Sequence, residues 1–405
     1  MNKLVKFIKL IARYILIVLN DGFICLPTKN DLILFESFNG KEINDNPYAI
    51  YKELLSKKPN FAKSVFFSVK PAEYSRLRQE FPNVRLIKRF TPKWVWYIAR
   101  AEFWVMNSRM PGWWKKNRRT KYIQTWHGTP LKKLGADISD VEIPGSDTKK
   151  YHQEFYEEAA RWNYLIAPNL YSQRIFSKAF GFKNQFLNFG YPRNDILYRD
   201  NNSRAIKNLK QKILGSSAKK AILYAPTWRD DYYIKPGQYK FDLPFDLRTF
   251  FQNVSDDVVL IIRPHYLVKD SINITGFEDR VKVLADTDIS KLYLLSDLLI
   301  TDYSSVMFDY ANLKRPMLFY PYDLKHYRDK LRGFYFQYDS AHLPGPLVTK
   351  PAEFYAKINQ FDKQGEFKDC SDKLNQFYDK FCQWENGTAS QRVVDVILKG
   401  EKNGK

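Results

Sequence analysis

The chain has 405 residues, which is more than a single hydrophobic core usually serves and favours two domains. With 44% hydrophobic residues and no low-complexity run or repeat, its composition excludes a disordered or solenoid chain. The formal net charge of +21 indicates an anionic partner, such as nucleic acid, an anionic membrane surface or a phosphate-rich substrate. Three cysteines without C-x-x-C spacing argue against a disulfide framework or a zinc site.

The first 20 residues predict an amphipathic helix. Lys3, Lys6, Lys9 and Arg13 recur every three or four residues on one face of it. The uncharged stretch at residues 14–20 is far shorter than the roughly 20 residues that span a bilayer. We expect this segment, residues 1–20, to lie on a membrane surface, and an ordinary helix packed on its domain is the alternative.

A second segment, residues 94–121, combines five tryptophans with a run of lysines and arginines. Indoles beside cations suit a membrane interface, and the same mixture suits single-stranded nucleic acid. No RNP, KH or zinc-finger signature accompanies it, so we expect no nucleic-acid partner. The remaining alternative places the tryptophans in a core beside a solvated basic loop.

Short apolar runs alternate with amphipathic stretches along the whole chain, which predicts an α/β fold with parallel sheets. The predicted strands of the first half are Leu32–Phe35, Val65–Ser68, Phe103–Met106, Tyr122–Trp126 and Tyr164–Ala167. Those of the second half are Ala221–Tyr224, Val258–Arg263, Val281–Leu284, Leu298–Thr301 and Met317–Phe319. A polar stretch at residues 198–204 places the domain boundary near residue 200, giving domains at 21–200 and 201–405. Helices at residues 367–400 are expected to close the second domain.

One candidate catalytic residue lies in the first half. His127 follows the strand Tyr122–Trp126, where an α/β sheet presents its ligand-binding loops, and Gly128 and Pro130 keep the loop tight. A histidine at such a place is a candidate general base for an incoming hydroxyl. The alternative is a histidine that serves only to hold the turn.

The second half carries the candidate phosphate-binding loops. Arg263 and His265 end one strand, and Thr301, Ser304 and Ser305 stand between another strand and an apolar helix. A helix start with hydroxyl donors suits a pyrophosphate, although simple capping is the alternative. A third strand end, at residues 224–229, brings Thr227 to the same sheet edge as a further candidate ligand of the nucleotide or diphosphate.

Common motifs are missing from the sequence. There is no P-loop, clean G-x-G-x-x-G, G-x-S-x-G elbow or H-E-x-x-H, which argues against the commonest ATPases, dehydrogenases, hydrolases and zinc peptidases. Asp286 and Asp288 form a D-x-D that holds a metal in other glycosyltransferases, but Asp288 directly precedes an apolar helix. We interpret it as a helix cap and expect no metal site.

Taken together, these motifs resemble the CDP-glycerol glycerophosphotransferase family of teichoic acid synthesis. The matching segments cover essentially the whole chain: Leu34–Gly40, Asp45–Pro47, Gln124–Gly135, Asn188–Asp195, Tyr224–Arg229, Arg263–His265 and Thr301–Asp309. The resemblance implies a GT-B-like architecture, with two Rossmann-like domains facing across a cleft. It also implies a peripheral enzyme at the cytoplasmic face of the cell membrane.

The expected reaction transfers glycerol phosphate or ribitol phosphate from its CDP derivative to a lipid-linked acceptor, with release of CMP. The acceptor would be an undecaprenyl diphosphate-linked saccharide or polyol phosphate, and no cofactor is expected beyond the CDP-polyol donor. His127 would be the base, with His265 as a second catalytic residue. The other expected substrate contacts are Arg263, Thr301, Ser304, Ser305, Asp309, Thr227, Arg193 and Asn194. A GT-B glycosyltransferase using a UDP-sugar is the alternative, because the fold does not dictate the donor.

Overall fold

A computed structural model describes residues 3–139, 147–227, 233–235, 238–239, 242–264, 272–324 and 333–402. The chain divides into two compact units. The first comprises the residues up to His127, Leu134–Asp195 and the stretch from Trp384 onward. The second comprises Gly128–Lys133 and Ile196–Gln383.

The described elements alternate along the chain as the hydrophobic pattern predicts. The strands are β1 Lys29–Glu36, β2 Val65–Val69, β3 Leu86–Lys88, β4 Ala101–Met106, β5 Lys121–Gln124, β6 Tyr164–Ile166, β7 Gln185–Leu187, β8 Lys220–Ala225, β9 Tyr233–Lys235, β10 Gln238–Tyr239, β11 Val258–Ile262, β12 Val281–Val283, β13 Leu298–Thr301 and β14 Met317–Phe319. The α-helices are α1 Lys3–Phe23, α2 Asp45–Lys57, α3 Tyr74–Glu80, α4 Pro92–Arg100, α5 Thr148–Ala160, α6 Leu170–Ala179, α7 Asp195–Arg199, α8 Ser203–Leu214, α9 Leu247–Gln252, α10 Ile289–Leu295, α11 Val306–Tyr310, α12 Pro351–Gln364, α13 Ser371–Phe381 and α14 Ala389–Lys402.

Each unit is built on one parallel sheet. The first sheet has the order β3-β2-β1-β4-β5-β6-β7, and the second has the order β12-β11-β8-β13-β14. Both start in the middle, run to one edge and then reverse, so the strand order switches between β1 and β4 in one sheet and between β8 and β13 in the other. Ligands of such sheets bind at the carboxyl ends of the strands beside the switch. The candidate loops should therefore be sought at these two places.

All ten predicted strands are present, because buried parallel strands have nearly continuous apolar sequences. The expected α/β fold with parallel sheets is confirmed. Four short strands were not predicted: β3 and β7, which are three residues long and lie at the edges of the first sheet, and β9 and β10, which pair with each other in a separate antiparallel sheet. Their short sequences contain polar residues and carry little periodicity.

The last helix, α14, packs with the first unit rather than with the second, where sequence analysis placed the closing helices. Val393, Val394 and Ile397 lie in the same core cluster as β1. The carboxylate of Asp195 accepts hydrogen bonds from the backbone N–H groups of Ala389 at 2.9 Å and Ser390 at 2.7 Å. An amphipathic sequence identifies the buried face of a helix but not the domain that covers it.

Helix α1 has a packed side and an exposed apolar side. Leu16, Leu19 and Phe23 pack against the core of the first unit. Phe7, Leu10, Tyr14 and Val18 follow each other along the opposite side and are each more than half exposed, from 54% to 68%. Among the described residues, no helix is both long and apolar enough to cross a membrane.

The tryptophan-rich segment is largely core. Trp94, Trp104 and Trp114 are fully buried, whereas Trp96 is exposed. The membrane interpretation of this segment is therefore wrong for those three residues, which belong to a hydrophobic core cluster of the first unit. Arg13 of α1 stacks on the ring of Trp113 at 4.9 Å.

Candidate active site

His127 lies in the loop after β5, at the switch between β1 and β4 of the first sheet. Its Nδ1 is 2.8 Å from the backbone carbonyl oxygen of Asn107, which directly follows β4. A carbonyl oxygen only accepts, so Nδ1 carries the proton and Nε2 keeps its lone pair. The imidazole therefore has the tautomer that a general base requires.

Desolvation also favours the neutral imidazole. The side chain is open to solvent, but the protein packed around it disfavours the imidazolium and lowers the pKa of His127 below its ordinary value of 6.5. The Asn107 carbonyl and Asp45 act in the opposite direction without cancelling this effect, and Arg193 adds to the lowering. At neutral pH the ring is mostly uncharged and able to accept a proton.

The loop that carries His127 is held in a constrained backbone conformation. Trp126 has φ 51°, and its ring stacks on that of His127 with the centroids 4.6 Å apart. Phe38, with φ 47°, is the second aromatic neighbour of His127, and the centroids of the two rings are 5.8 Å apart. The backbone N–H of Phe38 donates to Asn107 Oδ1 at 2.7 Å. Non-glycine residues in this region of φ are costly and concentrate at functional sites.

A buried polar network fixes the backbone on either side of the imidazole. Asn46 is fully buried; its side-chain nitrogen donates to the carbonyl of Trp126 at 3.1 Å, and its oxygen accepts from the backbone N–H of Arg193 at 3.1 Å. The Arg193 guanidinium donates to the His127 carbonyl at 2.8 Å and pairs with Asp45 at 2.8 Å. This network fixes the main chain on either side of His127.

Two predicted substrate contacts, Arg193 and Asn194, have protein partners. Arg193 is committed to Asp45 and the loop of His127, as described. Asn194 is buried, and its side chain donates to Glu385 at 3.0 Å, joining the loop to the segment that leads into α14. Both residues therefore shape the first unit around His127.

In the second unit, the loops after β8 and β13 meet at the switch of that sheet. The backbone N–H of Thr227 donates to Asp302 Oδ1 at 2.8 Å, which ties the two loops together. Thr301 is fully buried, and its hydroxyl donates to the Ala225 carbonyl at 2.7 Å. The Thr301 hydroxyl thus joins the two strand ends.

Ser304 and Ser305 are half-buried and stand where α11 begins. Ser305 makes no side-chain capping bond to the helix, and the Ser304 hydroxyl lies 3.4 Å from the backbone nitrogen of Val306, a weak capping contact. Asp309 is buried within α11. The Thr301 hydroxyl is therefore more firmly committed to a backbone group than those of the two serines.

Arg263 follows β11 and is half-buried, and its guanidinium donates to the neighbouring Pro264 carbonyl at 3.2 Å. Its backbone N–H donates to the Tyr224 carbonyl at 2.9 Å, so the ends of β11 and β8 are adjacent. Arg263, Thr227 and Ser304 therefore share one sheet edge. His265 lies outside the described residues, and its role stays a prediction.

The D-x-D segment is a helix cap, as predicted. Asp288 Oδ1 accepts from the backbone N–H of Ser290 at 2.9 Å at the start of α10. Within the described parts of the chain, no three His, Cys, Asp or Glu side chains form a group able to hold a metal ion.

Three important residues, Asn107, Asp45 and Asn46, were not predicted as site residues. Asn107 directly follows a buried strand, which was an available signal. Asn46 bonds main-chain atoms of Trp126 and Arg193, and Asp45 pairs with the Arg193 guanidinium, all some 80 to 150 positions away in the chain. No local pattern identifies such contacts.

The fold and the site define a class of protein: an α/β protein with two parallel sheets, a histidine at the strand-order switch of the first sheet and hydroxyl-bearing loops at the switch of the second. The chain belongs to the CDP-glycerol:poly(glycerophosphate) glycerophosphotransferase family, whose model matches residues 19–399. The resemblance stated from the sequence is thereby confirmed.

Named relatives and a solved structure agree with this assignment. The chain is 46% identical over 93% of its length to the teichoic acid poly(glycerol phosphate) polymerase of Bacillus subtilis, and spans half the length of that protein. It is 44% identical to the teichoic acid glycerol-phosphate transferase of Staphylococcus aureus, covering 92% of this chain and 94% of the relative. The structure of the wall teichoic acid polymerase TagF superposes with a TM-score of 0.86 at 37% identity over the full length of both chains.

Proposed function

We propose that this protein transfers glycerol phosphate from CDP-glycerol to the terminal hydroxyl of a lipid-linked acceptor in teichoic acid synthesis, releasing CMP. The observation that carries the proposal is His127, whose Nδ1 is bonded to a backbone carbonyl and whose pKa is lowered. Glycerol is favoured over ribitol because relatives at 43% to 46% identity are named for glycerol phosphate, whereas a poly(ribitol-phosphate) polymerase is 26% identical. Crystals of a histidine-to-asparagine variant of TagF were soaked with CDPG.

In the proposed reaction, the acceptor hydroxyl attacks the β-phosphorus of CDP-glycerol. His127 Nε2 takes the hydroxyl proton as the new O–P bond forms, and CMP leaves with the electron pair of the broken P–O bond. Such a transfer depends mainly on positioning and charge stabilisation. The buried network of Asn46, Asp45 and Arg193 supplies part of that positioning by fixing the main chain of the base.

The proposed donor site is the sheet edge of the second unit. Arg263 supplies a cation, and Ser304 and Ser305 supply hydroxyl donors for the diphosphate, with His265 as the family resemblance implies. Asp309 is proposed to receive a polyol hydroxyl. Thr301 and Thr227 contribute by joining the loops after β8 and β13. The GT-B arrangement of the two units belongs to the same proposal.

We propose peripheral membrane association through α1. Its outward apolar side, which includes Phe7, Leu10 and Tyr14, has the exposure expected of a helix lying in a lipid interface. Basic residues of the same helix suit anionic headgroups. This placement would bring the protein to a lipid-linked acceptor, of which an undecaprenyl diphosphate-linked chain is the proposed form.

The testing experiment measures acceptor-dependent CMP release from CDP-glycerol, CDP-ribitol and UDP-sugars by the wild type and by His127→Ala. We expect release from CDP-glycerol in the wild type only. The same assay with EDTA tests the proposal that no metal or other cofactor is required. Turnover of a UDP-sugar in place of both CDP-polyols would refute the proposed donor and favour a glycosyltransferase.

A further inference from the structure

Several arginines of the first unit pair with a carboxylate: Arg89 with Glu36 at 3.3 Å, Arg193 with Asp45 at 2.8 Å, and Arg161 with Glu158. Arg109 has no such partner among the described residues, none of which forms an ion pair or hydrogen bond with it. Its guanidinium carbon instead lies over aromatic rings, 3.6 Å from the centroid of Phe155 and 5.7 Å from that of Tyr151.

This arrangement leaves a cation that is partly desolvated and only partly compensated by its surroundings. Arg109 is half-buried, and burial lowers the pKa of its guanidinium, with Tyr151 and Glu154 offsetting only part of the effect. The group nevertheless keeps its charge, because arginine is not deprotonated in proteins. The contact with Phe155 is a cation–π contact that engages no hydrogen-bond acceptor, so the N–H donors keep their capacity to bind an anion. A partly buried charge with available donors is stabilised by a bound anion.

The position of Arg109 relates it to the candidate base. Strands β4 and β5 are adjacent, with Met106 paired to Gln124, and Arg109 and His127 each lie three residues beyond this pair. Rings connect the two side chains: Phe155 stacks on Phe180 at 5.6 Å, and Phe180 contacts Trp126 at 4.6 Å. Trp126 in turn stacks on His127. The guanidinium and the imidazole thus belong to one end of the first sheet.

We propose that Arg109 binds the phosphodiester nearest the terminal hydroxyl of the acceptor chain. The inference rests on the proposed function, in which that hydroxyl is placed at His127 Nε2. A polyol-phosphate acceptor carries a phosphate one polyol away from the reacting hydroxyl, and a planar guanidinium binds phosphate with two parallel hydrogen bonds. Arg109 would then select acceptors that already carry a polyol phosphate, and would have little effect on the CDP-glycerol donor.

The test compares Arg109→Gln with the wild type on two acceptors, one ending in glycerol phosphate and one a diphosphate-linked saccharide without polyol phosphate. We expect the KM for the first acceptor to rise about 10- to 100-fold, because the variant loses a charge-assisted hydrogen bond to the phosphodiester. The KM for CDP-glycerol, kcat and the KM for the second acceptor should change little. For Arg109→Lys, the KM for the first acceptor should lie between those of the wild type and Arg109→Gln, because lysine keeps the charge but lacks the planar guanidinium.

The matched control is Arg85→Gln. Arg85 also stacks on an aromatic ring of the first unit, 4.4 Å from Phe66, but precedes β3 at the opposite end of the sheet. It should leave both acceptor KM values unchanged, and thermal unfolding of each variant separates lost binding from lost folding. Unchanged KM values in Arg109→Gln, or equal rises with both acceptors, would overturn the inference. Absence of acceptor-dependent CMP release in the wild type would instead refute the proposed function.

Discussion

The two sheets share one strand order around the switch but build their loop edges differently. At the first switch, the His127 ring donates to the Asn107 carbonyl. The side chains of Asn46 and Arg193 donate to the main-chain carbonyls of Trp126 and His127. At the second, side chains tie the loops to one another, as Asp302 and Thr301 do, and leave two serine hydroxyls at the edge. The same topology therefore holds a single imidazole at the switch in one unit and leaves serine hydroxyls at the sheet edge in the other.

Removing the imidazole should have the largest effect. His127→Ala is expected to lower turnover by about 10²- to 10⁴-fold, the usual contribution of general acid–base catalysis, and to leave CDP-glycerol binding intact. Turnover is followed by CMP release and donor binding by calorimetry.

His152→Ala is the control for this variant, because His152 Nε2 also lies 2.8 Å from a backbone carbonyl, that of Ile138, away from the switch. It should keep full turnover. Normal turnover in His127→Ala would show that the first sheet edge does not supply the base.

Cutting the tie between the second unit's loops should come next. Asp302→Ala removes the acceptor for the half-buried Thr227 N–H, which should lower the free energy of unfolding by about 1–3 kcal/mol and raise the donor KM. Denaturant unfolding and steady-state kinetics measure both. Asp302→Asn retains an oxygen and should recover most of the loss; a donor KM that is unchanged in Asp302→Ala would separate this loop from the donor.

A third pair of variants distinguishes a structural hydroxyl from a binding one. Thr301→Val should cost about 0.5–1.5 kcal/mol of stability with no change in donor KM, because its hydroxyl is bonded to the Ala225 carbonyl. Ser305→Ala should raise the donor KM by about tenfold with little change in stability, since it removes a proposed bond to a charged diphosphate. The reverse pattern would exchange their roles.

The smallest effects concern pH. A base acts when neutral, so the acid limb of kcat/KM should lie below about pH 6.5, because the pKa of His127 is lowered. Asp45 stabilises the imidazolium and Arg193 opposes it. Asp45→Asn should therefore move the limb to lower pH and Arg193→Gln to higher pH, each by less than about one unit for partly screened charges. Shifts in the same direction would mean that the loop had rearranged.

Sequence patterns were most informative where neighbouring residues alone determined the local structure. The central strands were recognised because strands buried on both faces have continuous apolar sequences, and Asp288 because a cap acts two residues away. Edge strands β3 and β7 are three residues long, too short for such a pattern. Thr301 was expected to bind diphosphate, but the direction of its hydroxyl depends on a carbonyl 76 positions away in the chain.

The sequence by itself determined the α/β class, the family and the placement of His127 at a strand end, because hydrophobic periodicity and motif order are properties of neighbouring residues. Only the tertiary structure decided the imidazole tautomer, the unit that α14 joins and the burial of Trp94, Trp104 and Trp114. It also decided that Arg109 rests on Phe155 while other arginines find carboxylates. Each of these depends on contacts between residues that are distant in the chain, and only folding brings those residues together.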